Sequence, residues 1–147
     1  MTVKVGLLGT GYAAYKRAET LSSDTRVELL EVTGHDPEHT KGFGQTFQVS
    51  ATKTWEAIIH QANLDLIIIA NANAYHGEMV QAALLAGKHV MVEYPLCLDI
   101  HQAGELIQLA RKSGLMLHVE HIELLGGLHR SMEEYLPKIV PTLAFDF

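Results

Sequence analysis

Residues Leu66–Ala70 read Leu-Ile-Ile-Ile-Ala, a near-continuous apolar run. A strand with no polar alternation is one covered on both of its faces. A sheet covered twice needs helices above and below it, and the neighbouring sequence supplies them. Val3–Leu8 is apolar and β-branched and stops at Gly9–Gly11, after which Ala14, Ala18 and Leu21 recur at helical spacing. Val27–Val32 is a second strand, and Asp36-Pro37 has the form of a helix N-cap followed by proline at the first helical position. A weak third strand falls near Gln48–Ala51, before a short helix that Thr54 caps.

The same alternation continues beyond the central run. A helix ends at Gly87, and His89–Glu93 is the next strand. Asp99 opens the best helix of the chain, with Gln102 as its capping-box partner and Gly114 suited to the position after its end. Ile100, Ala103, Ile107 and Ala110 are expected to line its buried face, and Leu115–Val119 makes a sixth strand. Strands alternating with helices imply an α/β fold, a doubly wound parallel sheet.

Composition narrows what such a fold does. The chain has 147 residues, 48% hydrophobic and 19% charged, enough for one core without staples. Its single cysteine, Cys97, excludes an internal disulfide and argues against a cysteine-rich metal site. A formal charge of −6 argues against a nucleic-acid surface; Lys16-Arg17 and Arg111-Lys112 are the only adjacent basic pairs. No apolar run is long enough to span a bilayer and no leader pattern opens the chain, so the expected location is cytoplasmic, with no membrane partner.

Gly9-Thr10-Gly11-Tyr12-Ala13-Ala14 reads G-x-G-x-x-A between the first strand and the first helix. That context is the one a dinucleotide fingerprint requires. Gly9 permits the tight turn, Gly11 lets a pyrophosphate approach the backbone, and Ala14 keeps helix and strand close. The amides at the start of the helix then face phosphate, so an acidic chain still binds an anionic cofactor. The alternative is that the glycines only make a strand-to-helix turn. NAD-preferring proteins place an acid at the end of the second strand to hold the ribose 2′-hydroxyl. Here that position is Thr33 or Gly34, followed by His35, which points to NADP(H) over NAD(H). A slip of two residues makes Asp36 that acid; the competing reading, which we favour, makes it a helix cap.

Two longer segments are more specific. Ala70-Asn71-Ala72-Asn73-Ala74-Tyr75-His76 and Ala86-Gly87-Lys88-His89-Val90-Met91-Val92-Glu93-Tyr94-Pro95 resemble the glucose–fructose oxidoreductase/inositol dehydrogenase (Gfo/Idh/MocA) family. That family carries Asn-x-x-His after the fourth strand and Gly-Lys-His-Val…Glu-Lys-Pro after the fifth. Asn73 and His76 match the first motif, and Glu93 and Pro95 match the second. Tyr94 stands where the family usually has its catalytic lysine. With that departure, the glycine turn and Leu117–Leu125, residues 3 to about 139 are similar to the biliverdin reductase branch, especially the cyanobacterial kind.

The resemblance implies a Rossmann-like NAD(P)-binding domain and hydride transfer from NADPH to a bilin-like tetrapyrrole. Gly9, Thr10, Gly11, Tyr12 and Ala13 would hold the pyrophosphate, with His35 beyond the second strand. Asn71, Asn73 and His76 would line the cofactor's edge, and Glu93 and Tyr94 would sit beside the nicotinamide. Tyr94 would orient the tetrapyrrole or donate a hydrogen bond, and Glu120 and Glu123 would contact pyrrole nitrogens or relay a proton. Each has a plainer alternative: strand-end packing for Tyr94 before Pro95, helix capping or packing for His76, a solvated helix start for Glu120 and Glu123. His118 and His121 are three apart but lack the surroundings of a metal pair, and no metal site is expected.

The family has a second, α+β substrate domain, expected to be absent here. Residues 1–122 form the dinucleotide-binding domain; 123–147 form a helix and an orphan strand, Val140–Phe147, that would begin the missing domain. An exposed strand of this kind invites dimerisation, so the expected partner is a second copy or a separately encoded substrate domain. A non-catalytic nucleotide- or bilin-binding module and a truncated fragment are the other readings.

Overall fold

In the computed structural model, which describes residues 2–139, the side chains of the central apolar strand divide between two cores. Ile67 and Ile69 face one layer of helices, and Ile68 and Ala70 face the other. Val140–Phe147, read above as an orphan strand, lies outside the described residues.

The strands are β1 (Val3–Leu8), β2 (Val27–Thr33), β3 (Ser50–Ala51), β4 (Leu66–Ile69), β5 (His89–Glu93) and β6 (Leu117–Glu120). The helices are α1 (Tyr12–Ser23), α2 (Pro37–Phe47), α3 (Trp55–Ile59), α4 (His76–Leu85), α5 (Ile100–Ser113) and α6 (Gly127–Ile139), with 3-10 turns at Asn73–Tyr75 and Ile122–Leu125. All strand pairings are parallel, in the order β3-β2-β1-β4-β5-β6. Helices α1 and α2 cover one face through Ala14, Ala18 and Phe43; α3, α4 and α5 cover the other through Ile58, Ile59, Val80, Leu84 and Leu106. This is the doubly wound α/β sheet expected from the alternation. Among the described residues no helix is long and apolar enough to cross a membrane.

Local chemistry sets the helix starts. The carboxylates of Asp36 and Asp99 accept from the amides of His39 and Gln102, each at 2.8 Å, and Thr54 Oγ1 accepts from Ala57 N at 3.3 Å. Such caps satisfy amides that have no partner within the helix. Gly114 ends α5 in the left-handed region at φ 65°, as its position implied. In the α1–β2 turn the Arg26 guanidinium, hydrogen-bonded to Asp24, lowers that carboxyl from 3.8 to about 2. The pair therefore contributes above the ordinary carboxylate range and is lost as pH falls toward 2; being exposed, it is weakened by solvent.

Some boundaries move. Thr33 joins β2, β3 is only two residues long, and β6 runs Leu117–Glu120 rather than Leu115–Val119. The buried seam of α5 also differs from the expected one. Leu106 and Ala110 are buried, whereas Ile100 is 82% exposed and Ile107 is also exposed. Ile100 sits on the first turn, and contact with α4 and the sheet selects the 106/110 face instead.

Candidate functional site

A cleft of about 950 Å³ opens at the carboxyl ends of β1, β2 and β4. The chain winds outward from β1 to β2 and β3, then crosses to β4, β5 and β6, so the cleft lies at the reversal of strand order. Ligands of open α/β sheets bind in this crevice.

Its floor is the first strand-to-helix turn. Gly9 has φ +132°, and a Cβ there would collide with the Ala70 carbonyl, so the fold itself demands glycine. Gly11 is different. Its φ of −77° and ψ of −170° suit any residue, and nothing lies within 4 Å of where its Cβ would be. It is also the N-cap of α1, yet no side chain caps that helix. The amides of the first turn are therefore left to whatever fills the open space, an arrangement that the turn alone does not explain.

The wall over β2 is formed by Thr33, Gly34 and His35, with Lys53, Thr54, Trp55 and Glu56 following β3. A side chain at Gly34 would meet Thr10 Oγ1 at 2.5 Å, so this strand end has no room for a carboxylate. Asp36, the other candidate for the acid, spends its carboxylate on the His39 amide. Asp36→Ala should therefore cost about 1 kcal/mol of stability through the lost cap and leave nucleotide preference unchanged. Urea unfolding with parallel NADPH and NADH titrations checks both, and a changed preference would restore the ribose-acid reading. His39 Nδ1 lies 3.1 Å from Thr10 Oγ1 and fixes that hydroxyl at the cleft floor.

The opposite wall is Ala70, Asn71, Ala72, Tyr75 and Met79. Asn71 Nδ2 donates to Met79 Sδ at 3.1 Å, while its Oδ1 is buried without a partner. An orphaned acceptor in a cleft wall is a position for a ligand donor.

The expected cofactor residues thus divide. Gly9, Thr10, Gly11, Tyr12, Ala13, His35 and Asn71 line the cleft together; Asn73, His76, Glu93 and Tyr94 do not. Asn73 begins the 3-10 turn. His76 is fully buried, with Nδ1 2.8 Å from the Pro95 carbonyl and Nε2 3.2 Å from the Asn71 carbonyl. It ties the loop after β4 to the cis Tyr94-Pro95 turn after β5 and does not face the cleft. Tyr94 projects outward, 57% exposed, with its ring edge-on to His121 at 6.1 Å.

Glu120 is the last residue of β6 and is buried, not a solvated helix start. Glu123 lies in the 3-10 turn, and its side chain falls outside the described residues. Arg17 Nε donates to Glu93 Oε1 at 2.9 Å, and its Nη2 is 3.4 Å from Glu120 Oε2. His118 Nε2 stands 3.6 Å from the same Glu120 oxygen, and His121 Nδ1 is 2.9 Å from the Glu120 carbonyl oxygen. No group of three metal-type ligands occurs among the described residues. Sequence reasoning missed Arg17 as a partner of both glutamates and Lys53 as a cleft residue. The adjacency of β3 to β2 is what would have exposed Lys53.

Comparison with known proteins agrees with this geometry. Residues 3–121 match the model of an oxidoreductase family with an NAD-binding Rossmann fold. The crystal structure of biliverdin reductase from Synechocystis sp. PCC 6803, in complex with biliverdin and NADP+, superposes with a TM-score of 0.91 at 47% identity, covering 93% of this chain and 43% of that one. A 3-ketoreductase from Actinomadura kijaniata, in complex with NADP and TDP-benzene, gives 0.84 at 26% identity, covering 94% of this chain and 43% of that one. Mouse biliverdin reductase A is 33% identical over 132 residues, 89% of this chain and 41% of the mouse protein. The chain spans less than half the length of these relatives. With a cleft at the strand reversal, a glycine turn open to ligand and a family match over most of its length, the chain belongs to the Gfo/Idh/MocA oxidoreductases, of NAD-binding Rossmann fold.

Proposed function

We propose that this chain is the nucleotide-binding part of an NADP(H)-dependent oxidoreductase acting on a bilin-like tetrapyrrole. The observation that carries the cofactor assignment is Gly11, a position that tolerates any side chain sterically yet leaves a helix start uncapped beside an empty volume. The orphaned Asn71 Oδ1 in the same cleft supports the fit. Gly9, Thr10, Gly11, Tyr12 and Ala13 receive the pyrophosphate; His35 and Lys53 flank the 2′-phosphate, with Asn71 at the other wall. When bound, NADPH supplies the hydride. The chain's own contribution is to hold the dinucleotide extended across the strand ends and to present the exposed Tyr94 hydroxyl toward an acceptor. Glu120 ends β6 beside the end of β5 that leads into Tyr94, and with Glu123 it is assigned, by the resemblance, to meet pyrrole nitrogens.

The tetrapyrrole assignment rests on similarity to the Synechocystis enzyme, which binds biliverdin and NADP+. Related proteins of the same fold reduce other substrates, the Actinomadura 3-ketoreductase among them. We assign residues 1–122 to the dinucleotide-binding domain and 123–147 to the passage into a substrate domain. Helix α6 supports this by exposing Leu128, Met132, Tyr135 and Leu136 along one side, a face suited to a packed sheet. The sheet that covers this face would belong to the substrate domain. A module that binds nucleotide or bilin without turnover is the second reading, since the open glycine turn and the orphaned Asn71 Oδ1 speak to binding alone.

Titration with NADPH and NADH, followed by nicotinamide fluorescence, tests the cofactor. One charge-assisted contact to the 2′-phosphate makes NADPH the tighter ligand by roughly tenfold or more. Equal affinities would remove the 2′-phosphate assignment, and no binding of either would remove the nucleotide site. Hydride transfer to biliverdin, read from NADPH absorbance, then separates the two readings.

A further inference from the structure

Glu93 and Glu120 are register partners on adjacent parallel strands, so their side chains rise side by side on one face of the sheet. Like charges so placed repel each other. The cation that reconciles them comes from the far side of the cleft floor. Ala14 and Ala18, both fully buried, draw α1 onto the sheet, and Arg17 beside them reaches across to the ends of β5 and β6. Its Nε and Nη2 both lie 2.9 Å from Glu93 Oε1, and Nη2 lies 3.4 Å from Glu120 Oε2. The side chains of Arg17, Glu93 and Glu120 are only 22%, 18% and 10% exposed, so this interaction is weakly screened.

The two glutamates immediately precede Tyr94 and His121, whose rings meet edge to face. Arg17 therefore governs both the charge and the alignment of the strand ends that carry these rings. A dinucleotide with its phosphates on the start of α1 and its adenosine over β2 extends its nicotinamide toward β4 and β5. The oxidised nicotinamide ring bears a positive charge that the reduced ring lacks. Two unbalanced carboxylates at this end would favour the oxidised form; one guanidinium bridging them removes much of that bias.

We propose that Arg17 is a positioning residue that, by bridging Glu93 and Glu120, sets the site's preference for reduced over oxidised nicotinamide. The inference rests on the reading of the cleft as an NADP(H) site. The full chain and its Arg17→Met and Arg17→Lys variants are titrated with NADPH, NADP+ and 2′,5′-ADP, the last of which reports the adenosine half alone. In Arg17→Met the 2′,5′-ADP affinity stays within about twofold of the parent. The ratio of NADPH to NADP+ affinity falls about fivefold, the effect of one unit of charge acting over a partly screened distance. Arg17→Lys recovers most of the ratio. Glu120→Gln, which removes a carboxylate instead, moves the ratio the other way and gives an independent reading should Arg17→Met fail to fold. A ratio unchanged in Arg17→Met, or in Glu120→Gln, while the parent binds all three ligands overturns this inference alone. A parent that binds none of them overturns the nucleotide reading and this inference with it.

Discussion

Gly11→Asp abolishes nucleotide binding while leaving the fold at least as stable as the parent. The backbone at Gly11 is extended, and no atom lies within 4 Å of the new Cβ, so the substitution meets no steric cost. Aspartate is also a preferred N-cap, and α1 has no side-chain cap, so stability rises by ~0.3 kcal/mol or more. The same carboxylate would face the pyrophosphate at contact distance. Two like charges about 4 Å apart near a protein surface repel by roughly 4 kcal/mol, on the order of a thousandfold in affinity. Urea unfolding and NADPH titration of the same preparation measure both effects. Unchanged affinity would sink the assignment of the glycine turn to phosphate. The opposite signs matter because a destabilised protein also loses ligand affinity, and this variant removes that explanation.

Lys88→Met lowers stability by roughly 3 kcal/mol, the second large effect. Lys88 follows the turn that ends α4 and is buried, and its ammonium group donates to the carbonyls of Gln61 and Leu64, each at 2.7 Å. These carbonyls belong to the connection between α3 and β4, so one side chain closes that segment against the start of β5. Methionine matches the length and apolar stem but offers no donor, which leaves buried carbonyl groups short of partners. For a domain of this size the loss corresponds to a melting temperature lower by about 6–12 °C. NADPH affinity, measured well below that temperature, stays at the parent's value because Lys88 sits at the amino ends of the strands, away from the cleft. A melting temperature within about 2 °C of the parent would refute the clamp. The lysine of the Gly-Lys-His segment thus has a structural role in this clamp.

The sheet was legible because each strand's demand is written in its own residues. Leu66–Ala70 must be covered twice wherever it lies, and Asp36-Pro37, Thr54 and Asp99 announce helix starts through local bonds alone. The buried face of α5 was less legible because Ile100 fits a helical stripe but occupies a first turn beyond the packed surface. The glycine turn could be read for the same local reason as the caps. Asn73 and His76 could not be placed, since spacing within a loop does not say which side chains face a cleft and which turn inward to a carbonyl. Arg17 and Lys53 depend on strand order, on α1 reaching β5 and on β3 lying beside β2, and no segment of sequence states that order by itself.

The buried imidazole of His76 has a consequence for exchanging parts between relatives. It touches main-chain carbonyls of two loops, one forming a cleft wall through Asn71 and the other carrying Tyr94. Neither contact depends on the side chains of Asn71 or Pro95, so those loops can diverge in sequence while keeping their spacing. A transplant of the Tyr94 loop alone would have to meet a carbonyl position set by the other loop. The two loops and the histidine between them therefore form a single heritable cassette, and recombination that respects its borders is the one expected to yield working chimaeras.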